Sequence, residues 1–157
     1  MDKVRRVLGL DYGDRTIGVA VSDPFGWTAQ GVSVLRRKSE TDLKANLEEL
    51  AGLVERYGIE SFVLGYPKNM NNTEGPRCEK TRVFQKRLAK RFPQIPIVLQ
   101  DERMSSMAAE RTLLEANLSR QKRGQVIDQA AAVFILQGYL DGEAKKRLAV
   151  QTENEER

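Results

Sequence analysis

VLGLDYGDRTIGVAVSD, residues 7–23, is the stretch that decides the fold. Val7, Leu8 and Leu10 read as a buried strand, and a second apolar run starts at Ile17. YGDR between them is a tight turn, so residues 4–11 and 16–22 are expected to pair as a hairpin. Asp11 stands where the first strand leaves the core, and a carboxylate there is costly unless something pairs with it. Two readings are open. Either Asp11 makes an Asx-type turn into Gly13, or it holds a cation.

Outward from the hairpin, WTAQGVSVLRR (27–37) is a third strand, with Gly31 marking a bulge. Ser39 or Thr41 caps a helix running to about Tyr57, in which Leu43, Leu47, Leu50, Leu53 and Val54 recur at helical spacing before Gly58 ends it. SFVLGYP (61–67) is a short apolar strand stopped by Pro67, and the polar KNMNNTEGPR (68–77) is a loop. A basic amphipathic helix follows, with Val83, Leu88 and Phe92 on one side. IPIVLQ (95–100) is another strand, ending at Asp101 and Glu102. A helix over about 105–115, a polar NLSRQKRG link and a helix over 125–140 complete the domain. The expected architecture is an α/β layer structure on a mixed five-stranded sheet, a three-strand antiparallel meander plus parallel strands, with helices on both faces. Residues 1–142 form the domain, and 143–157 a charged tail too poor in core residues to be ordered.

Composition narrows the chemistry. The 157 residues suit one domain, and 40% hydrophobic with 31% charged is an ordinary globular balance. MDKVRR runs straight into the strand pattern, no apolar run has membrane-spanning length, and the single Cys78 cannot form an internal disulfide. A reducing, cytoplasmic setting is expected. There is no histidine, which excludes histidine triads, histidine general bases and histidine-ligated zinc. P-loop and G-x-G-x-x-G patterns are absent as well. Carboxylates working with a hard cation are the chemistry that remains. The net charge is +4, and between Lys68 and Phe92 eight basic residues face only Glu74 and Glu79. Such a stretch points to a phosphate-bearing partner, or to a solvated helix face.

Three acids fit that chemistry. Strand-end sites form at the carboxyl ends of central strands, where Asp11 and the Asp101–Glu102 pair lie. Asp128 interrupts the apolar helical stripe of Ala131, Ala132, Ile135 and Tyr139. Each acid has a plainer explanation. Asp11 suits a turn, Glu102 a pair with Arg103 or the first turn of the following helix, and Asp101 an N-cap there. Asp128 suits a pair with a nearby Lys or Arg. Together they can converge, and converging carboxylates call for Mg²⁺ or Mn²⁺ between them. Two such ions about 4 Å apart hydrolyse phosphodiesters without a histidine.

LGLDYGDRTIGVAVSD, VLGYPKNMNNTEG, QDERMSS and VIDQAAAVFILQGYL resemble, in order, the four motif blocks of the YqgF (RuvX-like) family, across about residues 5–141. The resemblance implies an RNase H-like fold within the superfamily of Holliday junction resolvases. It also implies an endonuclease that processes the 5′ end of pre-16S rRNA in ribosome biogenesis. The family's acidic site carries over onto Asp11, Glu102 and Asp128, as catalytic residues and metal ligands. Gly13, Gly65 and Pro67 match structural positions. Tyr66 and Lys68 replace the usual leucines around the proline, and NNTEG replaces DGSEG, changes expected to act on substrate contact. Lys68, Arg77, Lys80, Arg103, Lys122 and Arg123 are the candidates for nucleic-acid contact, and Tyr66 reads either as a base-stacking residue or as a packed strand-end residue. The partners expected are precursor rRNA and a ribosomal subunit, with the chain a monomer or weak dimer and no membrane involved. Two other functions stay open: a Holliday junction resolvase acting on branched DNA, and a non-catalytic ribosome or RNA-binding protein. Actin-like ATPases open with a similar strand-Asp-x-Gly-strand unit, but need a second such domain that 157 residues do not hold.

Overall fold

Ile17, Val19 and Val21 alternate with Gly18 and Ala20, and this period of two seats β2 (Thr16–Ser22) antiparallel to β1 (Val7–Tyr12). The computed structural model describes residues 6–39, 42–67, 74–101 and 120–155, with side chains from 129 to 152 in the last segment. β3 (Ala29–Arg36) pairs antiparallel with β2, while β4 (Ser61–Tyr66) and β5 (Ile97–Asp101) run parallel to β1. The five strands lie in the order β3-β2-β1-β4-β5, the mixed sheet expected. The bulge is present too: Val19 opposes Ser33 and Ala20 opposes Gly31, leaving Val32 as the extra residue.

Each face of the sheet has its own core. On one, Leu8, Leu10, Ile17, Phe62 and Leu64 pack with Leu47 and Leu50 of α1 (Lys44–Tyr57) and Phe84 and Leu88 of α2 (Pro76–Arg91). On the other, Val7, Ala20 and Val63 meet Ala132, Ile135, Leu136 and Leu140 of α3 (Arg120–Glu155). Gly58 closes α1 at φ 63°, the left-handed cap its sequence position implies.

Three expectations are corrected. Val83 is 54% exposed, and α2 packs through Cys78, Thr81, Phe84 and Leu88, because the apolar stripe is set by Phe84. Arg120–Gly124, read as part of a polar link, already form the first turns of α3. The same helix runs on through 143–155, read as a disordered tail. Its Ala, Lys, Arg, Leu and Glu are strong helix formers, and Lys146 pairs with Glu143 one turn back at 3.4 Å. The helix expected over 105–115 lies outside the described residues.

Candidate functional site

Leu8 and Leu10 of β1 point into the α1/α2 core, so Gly9 and Asp11 face α3. Asp11 is half-buried at the carboxyl end of this central strand. Its antiparallel neighbour is Gly18. On the other side the register runs Leu10 to Leu64, so its neighbour at the next step is Gly65. Neither flanking residue carries a side chain.

α3 reaches this end of the sheet because it lies unusually close to β1. A Cβ on Gly9 would stand 2.7 Å from Leu136 Cβ and 3.3 Å from the Ala132 carbonyl oxygen. A Cβ on Gly31 would stand 2.7 Å from the Gln129 side chain. The helix runs against the direction of β1: Gln137 Oε1 accepts from the Ala29 amide at 2.9 Å, whereas Gln129 reaches Gly31, two residues further along β3. One turn back from Ala132, about 6 Å, is position 128. Two residues on from Gly9, about 7 Å in the same direction, is Asp11. α3 thus carries position 128 toward the Asp11 end of the sheet.

The opposite face braces the turn beside Asp11. Tyr12 stacks on Phe84 with ring centroids 4.4 Å apart, and the Arg37 guanidinium lies 4.4 Å from the Tyr12 centroid. Arg37 Nη1 donates to the Gly13 carbonyl at 2.6 Å and the Asp14 carbonyl at 3.0 Å. The Gly13 amide donates to Thr16 O at 2.9 Å, and a Cβ on Gly13 would meet that oxygen at 3.0 Å. A side chain at Gly13 would therefore crowd the Thr16 carbonyl in the turn. Lys80 reaches Asp14 at 3.7 Å, so this candidate phosphate contact also ties α2 to the hairpin. Arg77 is exposed in the first turn of α2.

Tyr66 is at 4% exposure, so of its two readings the packed strand-end residue is the one observed. Arg82 Nε donates to its hydroxyl at 2.7 Å, and Arg82 Nη2 holds both Glu74 carboxylate oxygens at 3.0 Å. Burial is the main cause that pushes the Tyr66 phenol above its ordinary value. Cys78 Sγ donates to the Pro67 carbonyl at 3.4 Å. Both flanks of segment 68–73 are thereby fastened to α2. Sequence reading counted Arg82 only among the basic residues of its helix and missed this role. Asp101 pairs in register with Tyr66 and lines a cavity of about 290 Å³ with Tyr66, Glu74, Arg82 and Leu99. It stands on the α2 face, across the sheet from Asp11.

Glu102, Arg103 and Lys68 lie outside the described residues, as do the side chains of Lys122, Arg123 and Asp128. Among the described residues no three metal-ligating side chains converge. The donor chemistry at Asp11 nonetheless fits a hard divalent ion: a carboxylate oxygen between two glycines, in a chain with no histidine.

The sequence matches the family model described as "RuvX: Holliday junction resolvase" over residues 5–142. It is 52% identical over 136 residues to a Staphylococcus aureus (strain JH9) protein named "Putative pre-16S rRNA nuclease", covering 87% of this chain and 95% of that protein. The same values hold for the strain JH1 protein of that name. Thermus thermophilus RuvC in complex with a Holliday junction substrate superposes with a TM-score of 0.54 at 14% identity, over 90% of this chain and 96% of that one. A second T. thermophilus RuvC structure gives 0.51 at 14% identity, over 89% and 96%. At that identity the likeness establishes the fold, which is the one expected. No described helix is long and apolar enough to cross a membrane.

Proposed function

The chain belongs to the RuvX family, and on that premise we propose that it is a metal-dependent endonuclease that processes the 5′ end of pre-16S rRNA. The observation that carries this reading is the approach of α3 to β1 at Gly9, which directs position 128 toward Asp11 at the carboxyl edge of the sheet. In this reading Asp11, Glu102 and Asp128 are the ligands. Bound there, one or two Mg²⁺ or Mn²⁺ ions supply the Lewis acidity that activates a water and stabilises the leaving oxygen.

The chain's own residues do the rest. Gly18 and Gly65 put no side chain of their own beside Asp11, and in this reading the phosphodiester approaches there. Arg37, held on the Tyr12 ring, fixes the turn carbonyls and so the direction in which Asp11 leaves the strand. Arg77 and Lys80 at the start of α2, Lys68 and Arg103 near the strand ends, and Lys122 and Arg123 at the start of α3 neutralise the substrate backbone on either side.

The test is cleavage, in Mg²⁺ or Mn²⁺, of a labelled pre-16S rRNA fragment, a plain single-stranded RNA and a four-way DNA junction. Preferential cutting of the rRNA precursor is the expected result. Cutting of the junction alone moves the chain to the branched-DNA resolvases, and binding without cutting moves it to the binding proteins.

A further inference from the structure

The aromatic side chains in solvent are not at the acidic site but at the other end of the sheet. Phe25 is 70% exposed and Trp27 is 75% exposed, both on the turn between β2 and β3. This turn is rigid. The Asp23 carboxylate accepts from the Phe25 amide at 2.7 Å, the Trp27 amide at 3.3 Å, and the Thr28 amide and hydroxyl at 2.7 and 2.6 Å. Gly26 takes φ 74°, which the turn requires. From α3, Gln137 Nε2 donates to the Trp27 carbonyl at 3.0 Å while its oxygen accepts from Ala29. The backbone under both rings is thus fixed before anything binds.

We propose that Phe25 and Trp27 form a second nucleic-acid site, a stacking platform for unpaired bases of the substrate, which rests on the reading of the chain as a nuclease. Together the two rings present about 300 Å² of exposed surface, well under the roughly 800 Å² per partner of a stable protein interface. One or two bases match that size, and base–aromatic stacking needs only an accessible, pre-organised ring face. The charges near the turn are mixed: Asp23 and Asp141 are acidic, and Arg6 Nε donates to the Ser22 carbonyl at 3.0 Å. The platform lies at the amino end of β1, because Ser22 Oγ accepts from the Val7 amide at 2.8 Å. From there to Asp11 is about 13 Å of strand, a span of about four stacked nucleotides.

Trp27 is the only tryptophan in the chain, so its emission reports on this site alone. The experiment titrates the full chain, without divalent metal, with a single-stranded oligouridylate of about twelve nucleotides and with an abasic backbone of equal length. Quenching by the oligouridylate and not by the abasic chain is expected. Phe25→Ala should weaken the quenching oligomer about tenfold and leave the salt dependence of binding unchanged. Unchanged emission, equal quenching by the abasic backbone, or unaltered affinity in Phe25→Ala would each overturn the platform. Those failures are separate from failure of the nuclease reading, since loss of metal-dependent cleavage is measured with the Trp27 turn intact.

Discussion

Asp11 and Asp23 are both aspartates at strand ends, and their surroundings differ. Asp11 has glycine on each neighbouring strand and faces α3. Asp23 is surrounded by donors from its own turn, led by the Thr28 hydroxyl, which hold its carboxyl down at about 2 against an ordinary 3.8. A carboxyl held down in the folded state stabilises it above the ordinary value, and that contribution fades as pH falls toward the folded one. The denaturant midpoint of wild type should therefore exceed that of Asp23→Ala at pH 6, and the gap should close between pH 4 and pH 2. A gap independent of pH would contradict it. At this scale the sequence was only partly legible. Tyr66 sits beside the site in sequence but is buried, whereas Trp27 was absorbed into a strand because WTAQG carries no sign that Asp23 would claim its amide.

Among the elements, α3 matters most, and its seating depends on the absence of a side chain at Gly9. Gly9→Ala places a methyl 2.7 Å from Leu136 Cβ, an overpacking that costs about 1–3 kcal/mol and lifts the helix from β1. A urea midpoint should fall accordingly, and cleavage should fall with it if helix and strand share the site. On the opposite face, Arg82→Ala removes the guanidinium that binds both the Tyr66 phenol and the Glu74 carboxylate. A loss of about 1 kcal/mol is expected in the same measurement. Element types were readable because β1, β2, β4 and α1 carry strong local periodicity and Gly58 is a local cap. The packing face of α2 was not, since Val83 and Phe84 are adjacent and only the tertiary core chooses between them. Charge misled the reading of 143–155, where helix propensity and ion pairs operate without a core.

Across the whole molecule, the acidic end and the aromatic turn lie at opposite ends of one sheet, and the basic helix α2 packs on the face away from α3. Substrate affinity should fall steeply with salt. Arg77→Ala combined with Lys80→Ala should flatten the logarithmic salt slope by about 2, one unit per lost phosphate contact. An unchanged slope would take the backbone contacts away from α2. The layered architecture followed from the order of strands and helices. The direction in which α3 carries position 128 depends on its register on β1, set by two glycines meeting a helix distant in sequence. The most direct measurement is the cleavage rate of a labelled pre-16S rRNA fragment in Mn²⁺ by wild type and Asp11→Asn, at matched thermal stability. A loss of at least about a hundredfold, about 2.7 kcal/mol of barrier, is predicted, along with complete loss in chelator. Equal rates in the two proteins would contradict an acidic site built on Asp11.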